Sequence, residues 1–202
     1  IQGAASLATS SNWVLNVPVW FFVHGENDTF LETPVENYRT NFLIMYERMN
    51  TIAKAASGQT NDPVVVMTQT ASRTYENQSN SWTANAQLFL NLSDSRLKVA
   101  VPTYIFPTVA DGVHLTNSVS AWLGEYLSKA ARHEIFGGGW NPVMPTNVSV
   151  VGTNVIVRYT VPKPPLVFDT TLVSNPGNYG FSLDGATIGT PLVSGNTVTI
   201  PF

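Results

Sequence analysis

Two short polar segments of this chain carry side chains that could act together in acid–base chemistry. The first spans residues 24–28 (His-Gly-Glu-Asn-Asp) and the second residues 111–115 (Asp-Gly-Val-His-Leu). An aspartate three residues ahead of a histidine can orient one ring nitrogen, which leaves the other free to act as a general base. The side-chain amide of Asn27 can donate to an oxyanion as it develops. Asp111, His114 and Asn27 are therefore the candidate catalytic residues.

Each segment also has a purely structural explanation. Asn27 and Asp28 could satisfy their own backbone in a turn, and Asp111 could cap a helix beside a surface His114. Their shared position favours chemistry, because both segments follow predicted strands of one sheet. Ligands of open α/β sheets bind outside the carboxyl ends of the strands. Candidate substrate contacts at that edge are Glu26, Gln69 and Tyr104, each of which could equally solvate or pack a loop.

Three apolar runs alternate with three amphipathic segments along the first two thirds of the chain. The runs are typical of strands buried on both faces, and apolar residues at three- and four-residue steps predict helices. This order predicts a three-layer α/β/α sandwich with a parallel sheet and right-handed crossovers. The predicted elements are strand 18–23, helix 34–56 (buried face Tyr38, Phe42, Met45, Met49, Ile52, Ala56), strand 63–67, helix 83–92, strand 97–101 and a helix capped by Thr116.

The character of the sequence changes after Trp140. Residues 147–159 alternate polar and apolar around Gly-Thr-Asn, which predicts a β-hairpin, and residues 179–183 and 198–200 repeat the short-strand pattern. The predicted organisation is an α/β domain over 1–136, a linker over 137–145 and a small antiparallel, β-sandwich-like domain over 146–202.

The two polar segments resemble motifs of the SGNH (GDSL-like) hydrolases. Gly25-x-Asn27-Asp28 is similar to block III, whose asparagine donates to the oxyanion, and Asp111-x-x-His114 is similar to block V, which supplies the acid and the base. The resemblance covers about residues 10–135. It implies a serine esterase, and the surroundings resemble those of enzymes that remove acetyl groups from carbohydrate.

The nucleophile of that family has no counterpart here. No Gly-Asp-Ser precedes Gly25, and Ser6, Ser10 and Ser11 lie in a stretch too short to hold the missing strands and helix. The serine is therefore upstream of Ile1, on a second chain, or lost, and we favour the upstream segment. The chain opens on Ile rather than Met, in keeping with that expectation. The alternative is a catalytically inactive carbohydrate-binding or structural module of a larger surface or virion protein.

Composition narrows the remaining classes of function. Hydrophobic residues make up 44% of the 202 residues and charged residues 11%, which is enough to bury a core. A net charge of −3 gives no reason to expect nucleic acid, and no apolar stretch is long enough to cross a membrane. The chain has no cysteine, and its three histidines are dispersed, so we expect no metal and no cofactor. A glycan ester as substrate favours a secreted or cell-surface location.

Overall fold

The structure is a computed structural model that describes residues 1–71 and 80–202. The chain divides into two compact units, Ile1–Gly138 and Gly139–Phe202. In the first unit the helices are α1 Gln2–Ser10, α2 Glu26–Phe30, α3 Val35–Ser57, α4 Trp82–Ser93 and α5 Asn117–Phe136, and the strands are β1 Val19–Phe22, β2 Val64–Gln69 and β3 Leu97–Pro102. Both long helices α3 and α5 end on a glycine in the left-handed conformation, Gly58 and Gly137, the residue type that most often ends a helix in this way.

The three strands form a parallel sheet in the order β1-β2-β3. Helices α3 and α4 pack on one face, where alternate residues of the strands contribute to the main core. Since α5 contacts all three strands and adds no residue to that core, it lies on the other face. The α/β fold with a parallel sheet under helices is thus confirmed. The buried members of this core are Tyr38, Phe42, Tyr46, Val65, Met67, Ala86, Leu90, Leu97 and Val99.

The sequence-based expectation for β1 is wrong in one respect. Its apolar run predicts burial on both faces, yet Phe21 is 55% exposed. The reason is its position, because β1 is the edge strand. The N–H of Val64 donates to the carbonyl of Pro18 at 3.0 Å, so Pro18 and every second residue after it face β2. The backbone of Val19 and Phe21 faces the opposite side, where no strand of the described residues pairs.

The buried face of α3 also differs from the prediction in its second half. The sequence places Met49 and Ile52 on the core side, but Ile52 is 50% exposed. From Phe42 onward the helix buries residues at steps of four and three, because the i, i+4 stripe lies over the sheet. The buried residues of α3 are Tyr38, Phe42, Tyr46, Asn50 and Ala53.

The second unit is one antiparallel sheet in the order β4-β5-β7-β6. The predicted hairpin is confirmed, with Val148 paired to Val157 across it and Gly152 at φ +58° in the turn. Loop side chains, not a second sheet, cover its core face. The strands are β4 Met144–Val151, β5 Asn154–Thr160, β6 Leu192–Ser194 and β7 Thr197–Pro201, and the loop side chains on the core are Leu166, Phe168, Phe181 and Ile188.

The expected strand over residues 179–183 is wrong. A single 3-10 turn over Asn178–Gly180 stands there, and Tyr179 has a φ of +52°. The ring of Tyr179 stacks on that of Phe168 with centroids 3.9 Å apart. This segment is therefore held by an aromatic contact and not by strand pairing.

Candidate functional site

The loop between β3 and α5 is closed on itself by backbone contacts. Thr108 and Leu115 form an isolated antiparallel bridge, and the N–H of Val109 donates to the carbonyl of His114 at 2.8 Å. Gly112 takes a φ of +70° at the tip, a conformation that a side chain would disfavour. The sequence therefore builds a tight hairpin-like loop that presents residues 111–114 at the carboxyl end of the sheet.

Asp111 and His114 form the hydrogen-bonded pair that their spacing predicts. Nδ1 of His114 lies 2.6 Å from Oδ2 of Asp111, and the N–H groups of Val113 and His114 donate to Oδ1 at 2.8 and 2.9 Å. An ionised carboxylate only accepts hydrogen bonds, so in the neutral imidazole Nδ1 carries the proton and Nε2 is the free nitrogen. This is the tautomer that a general base requires.

The same contacts hold Asp111 in its charged form. The hydrogen bond from His114, followed by the two backbone N–H groups, lowers the pKa of the Asp111 carboxyl to about 2 from an ordinary value of 3.8. Asp111 is therefore ionised at neutral pH. The imidazole is open to solvent, with 79% of the His114 side chain exposed and 46% of the Asp111 side chain.

A cavity of about 250 Å³ lies against this pair. Its wall combines the end of β1, the end of β2, the start of the segment after β3 and the dyad loop, so it sits at the carboxyl edge of the sheet. The lining residues that the structure describes are Val23, Glu26, Ala71, Thr103, Thr108, Gly112, Val113, His114 and Leu115. The geometry thus brings the two polar segments of the sequence to one cleft.

Glu26 is the member of the first segment that lines the cavity with His114. It opens α2, a one-turn helix that the sequence predicts only as a turn. The next residue, Asn27, is exposed, its backbone carbonyl accepts from the N–H of Leu31 at 2.9 Å, and it is not among the lining residues. The oxyanion role of Asn27 stays a prediction, made at a position directly beside the cavity wall.

The other two candidate substrate contacts lie outside the lining. Nε2 of Gln69 donates to the carbonyl of Ala84 at 3.0 Å, so its amide joins β2 to α4. Tyr104 is 60% exposed in a short 3-10 turn over Thr103–Ile105. Their contact with substrate stays a prediction.

Thr103 is a cavity residue that the sequence did not single out. Its hydroxyl accepts from the N–H of Ala71 at 2.8 Å, which joins the ends of β2 and β3 at the cavity floor. Its position directly after a buried strand was the one feature of the sequence that could have indicated Thr103 as a site residue.

The described part of the cavity wall contains two hydroxyl residues, Thr103 and Thr108, and no serine. From the sequence, Ser72 could contact substrate or solvate a loop, and Tyr75 could stack on a sugar or pack the loop down; both lie outside the described residues. Within residues 1–71 and 80–202, no cluster of three or more acidic or histidine side chains is arranged to hold a metal. No helix of the described segments is long and apolar enough to cross a bilayer.

No family model matches the chain, and no curated protein matches it. Among solved structures it is similar to a carbohydrate acetylesterase from Xanthomonas citri, with a TM-score of 0.56 and 16% sequence identity. The likeness covers 90% of this chain and 41% of that one, so this chain spans about two fifths of that protein's length. At this identity the likeness establishes the fold: an α/β unit of the kind found in a carbohydrate acetylesterase.

Proposed function

We propose that this chain is the C-terminal part of a serine esterase that hydrolyses O-acyl esters, with O-acetyl groups on carbohydrate as the substrate. The observation that carries the proposal is the 2.6 Å hydrogen bond between His114 and Asp111 on the wall of a cavity. A carboxylate-held imidazole with a free Nε2 is the base that a serine hydroxyl needs. The fold it shares with a carbohydrate acetylesterase supports a sugar ester as the substrate.

In the proposed reaction the serine comes from a segment upstream of Ile1 or from a second chain. Its oxygen attacks the ester carbonyl while His114 takes the hydroxyl proton, and the bond between the carbonyl carbon and the sugar oxygen then breaks. The sugar oxygen leaves with the proton from His114. Water, deprotonated by the same imidazole, attacks the acyl-serine, and the bond between the acyl carbon and the serine oxygen breaks. His114 returns the proton to the serine oxygen as the carboxylic acid leaves. Asp111 keeps the imidazolium oriented and stabilised.

The exposure of His114 and the unpaired edge of β1 support the proposal that a further segment completes the site. The side chain of His114 is 79% exposed, whereas a base in a working site is screened from water. The outer edge of β1 is unpaired within the described residues, and Phe21 beside it is 55% exposed. The unpaired backbone groups of Val19 and Phe21 on this edge could accept a further strand.

One observation favours the alternative of a catalytically inactive carbohydrate-binding or structural module. None of the described residues that line the cavity is a serine, so the described lining offers the dyad no serine nucleophile. We therefore expect the 202-residue chain alone to be inactive.

The test compares the 202-residue chain with the full-length protein on a chromogenic acetyl ester and on an acetylated glycan. The expected result is release of acetate by the full-length protein only. If the full-length protein hydrolyses neither substrate, the esterase proposal is wrong and the inactive module stands.

The role of Asn27 has a separate test in the full-length protein. We expect Asn27→Ala to lower turnover by about 10²–10³-fold, because one donor to the oxyanion is lost. Asn41→Ala is the matched control, since Asn41 is an exposed asparagine of α3 outside the cavity lining. Turnover of the Asn27 variant within twofold of the control would remove Asn27 from the site.

A further inference from the structure

The side chain of Gln87, in the middle of α4, is wholly buried although its amide is strongly polar. Its Nε2 donates to the carbonyl of His24 at 2.8 Å and to the hydroxyl of Tyr38 at 3.1 Å. Its Oε1 accepts from the N–H of Thr70 at 2.8 Å. Both donor hydrogens and one acceptor site of the amide are thus used inside the molecule, as burial of such a group requires.

The two backbone groups that Gln87 holds stand directly behind the cavity wall. His24 follows β1 and lies two residues ahead of Glu26, while Thr70 follows β2 and immediately precedes Ala71. Glu26 and Ala71 line the cavity of His114, and Gln87 itself does not. One amide therefore ties together two strand ends that each contribute a wall residue.

The turn between His24 and Glu26 is closely packed against the side-chain amide of Gln87. Gly25 takes a φ of +127°, which side-chain-bearing residues rarely adopt. A Cβ at Gly25 would lie 2.6 Å from Cγ2 of Thr70 and 3.0 Å from Nε2 of Gln87. The carbonyl that Gln87 holds and the glycine that touches it are adjacent in the chain, so the position of the turn depends on the amide.

We propose that Gln87 is a positioning residue for the ester hydrolysis proposed above: it fixes the start of α2, with Glu26 and Asn27, against the wall that carries His114. The effect of Gln87 on turnover depends on the proposed esterase function. Gln87 touches no substrate; it acts through the backbone of His24 and Thr70. A displacement of about 1 Å in a reacting arrangement is enough to lower turnover by about 100-fold.

Asn91, one turn further along α4, offers a matched comparison. Its Oδ1 accepts from the N–H of Val99 at 2.8 Å, so it also joins α4 to a strand through one side-chain amide. Val99 lies in the middle of β3 and is not part of the cavity wall. Loss of this bond weakens the same helix–sheet contact and leaves the cavity in place.

The experiment measures kcat, KM and melting temperature of the full-length protein with Gln87→Met and with Asn91→Leu. Each substitution keeps the approximate size of the side chain and removes its hydrogen bonds. We expect both variants to melt at lower temperatures, Gln87→Met to lose at least about tenfold in kcat with KM within about threefold, and Asn91→Leu to keep kcat within twofold. Equal kcat values for the two variants would overturn the positioning role.

A second variant and a second measurement cover a Gln87→Met protein that fails to fold. Gln87→Asn keeps an amide that is one methylene too short to reach both strand ends, and we expect an intermediate loss of kcat. Amide hydrogen exchange of the same full-length proteins reports the turn itself. The N–H of Thr29, which donates to the carbonyl of Gly25 at 2.9 Å, is expected to exchange faster in the Gln87 variants and not in Asn91→Leu.

The two proposals fail in different ways. A wild-type protein that hydrolyses no ester refutes the proposed function, and hydrogen exchange at Thr29 then decides the positioning of the turn alone. An active wild type whose Gln87→Asn variant keeps full kcat and normal exchange at Thr29 refutes the positioning role and leaves the esterase proposal intact.

Discussion

The two ends of the three-stranded sheet use the same kinds of charged side chain for different purposes. At the amino end, the guanidinium of Arg96 bonds Asp62 at 2.6 Å, Asp94 at 2.7 Å and Glu47 at 3.2 Å. At the carboxyl end, Asp111 and His114 bond each other on an exposed loop. The three carboxylates around Arg96 are each paired with its guanidinium. In the pair of Asp111 and His114, by contrast, only Nδ1 of the imidazole contacts the carboxylate.

The difference lies in which partner can exchange a proton. Hydrogen bonds from Lys54 and then from Arg96 lower the pKa of Asp62, and Arg96 lowers that of Asp94. Lysine and arginine stay charged across the physiological range, so these pairs only stabilise the fold. The partner of Asp111 is a histidine, the residue type that the proposed function needs for proton transfer. A lowered aspartate pKa alone therefore does not distinguish a stabilising ion pair from a candidate catalytic pair, and the type of partner does.

The largest effect is expected at the carboxyl end. His114→Ala in the full-length protein should lower turnover at least about 10³-fold, since the proposed base is lost and no other histidine is among the described lining residues of the cavity. With 79% of the side chain exposed, the melting temperature should stay within about 2 °C of the wild type. Steady-state kinetics and calorimetry measure the two quantities.

His133→Asn is the control for that substitution. It removes another imidazole sixteen positions beyond Asn117 along α5, roughly 24 Å down the helix. Turnover that survives in His114→Ala would show that the dyad is a surface ion pair, and the contrast between the two ends of the sheet would disappear.

A smaller effect of the opposite kind is expected at the amino end. Arg96→Met should lower the free energy of unfolding by about 1–3 kcal/mol, because the partly buried carboxylate of Asp94 loses its cation and that of Asp62 keeps only Lys54. The range is kept modest since Asp62 and Asp94 are 26% and 19% exposed and water screens them in part. Turnover per folded molecule should not change. Denaturant unfolding monitored by tryptophan fluorescence measures the stability.

Lys129→Met supplies the matched control for the arginine. Lys129 contacts Glu125 at 3.8 Å with both side chains more than half exposed, so its loss should change stability by no more than about 0.5 kcal/mol. If Arg96→Met were as mild as this control, the amino end would not be the stabilising end.

The smallest effect concerns the titration of Asp111 itself. Its pKa of about 2 lies below the ordinary 3.8, so its interactions stabilise the loop fully above about pH 4, and that contribution is lost as the pH falls toward 2. In His114→Ala the largest cause is gone, and the carboxyl should titrate closer to 3.8. The two N–H donors remain and keep it below that value. Carboxyl carbon shifts in NMR follow both titrations, and an unchanged midpoint would mean that the imidazole does not bond Asp111.

Features encoded within a few residues could be predicted from the sequence. The spacing of Asp111 and His114 places their hydrogen bond on one short loop, and the glycines after α3 and α5 mark the helix ends. The alternation around Gly152 likewise predicts the hairpin. In each case the residues that decide the structure are neighbours in the chain.

Features that depend on distant parts of the chain could not be predicted in this way. An apolar run such as residues 18–23 does not reveal whether its strand lies at an edge, because the neighbouring strand decides the exposure of Phe21. Gln87 makes bonds to residues 17, 49 and 63 positions away. The one available signal was its place on the buried face of α4 together with Thr83, Ala86 and Leu90.

The closed loop of residues 107–116 affects how long the hydrogen bond between Asp111 and His114 survives during unfolding. All the groups that hold Asp111 come from residues no more than three positions away, so the pair can persist while the sheet behind it comes apart. A spectroscopic signal from the Asp111–His114 hydrogen bond therefore does not report whether the rest of the unit is folded. In a heat-stressed sample near neutral pH, the pair would still be detected after the cleft opposite it had lost its shape.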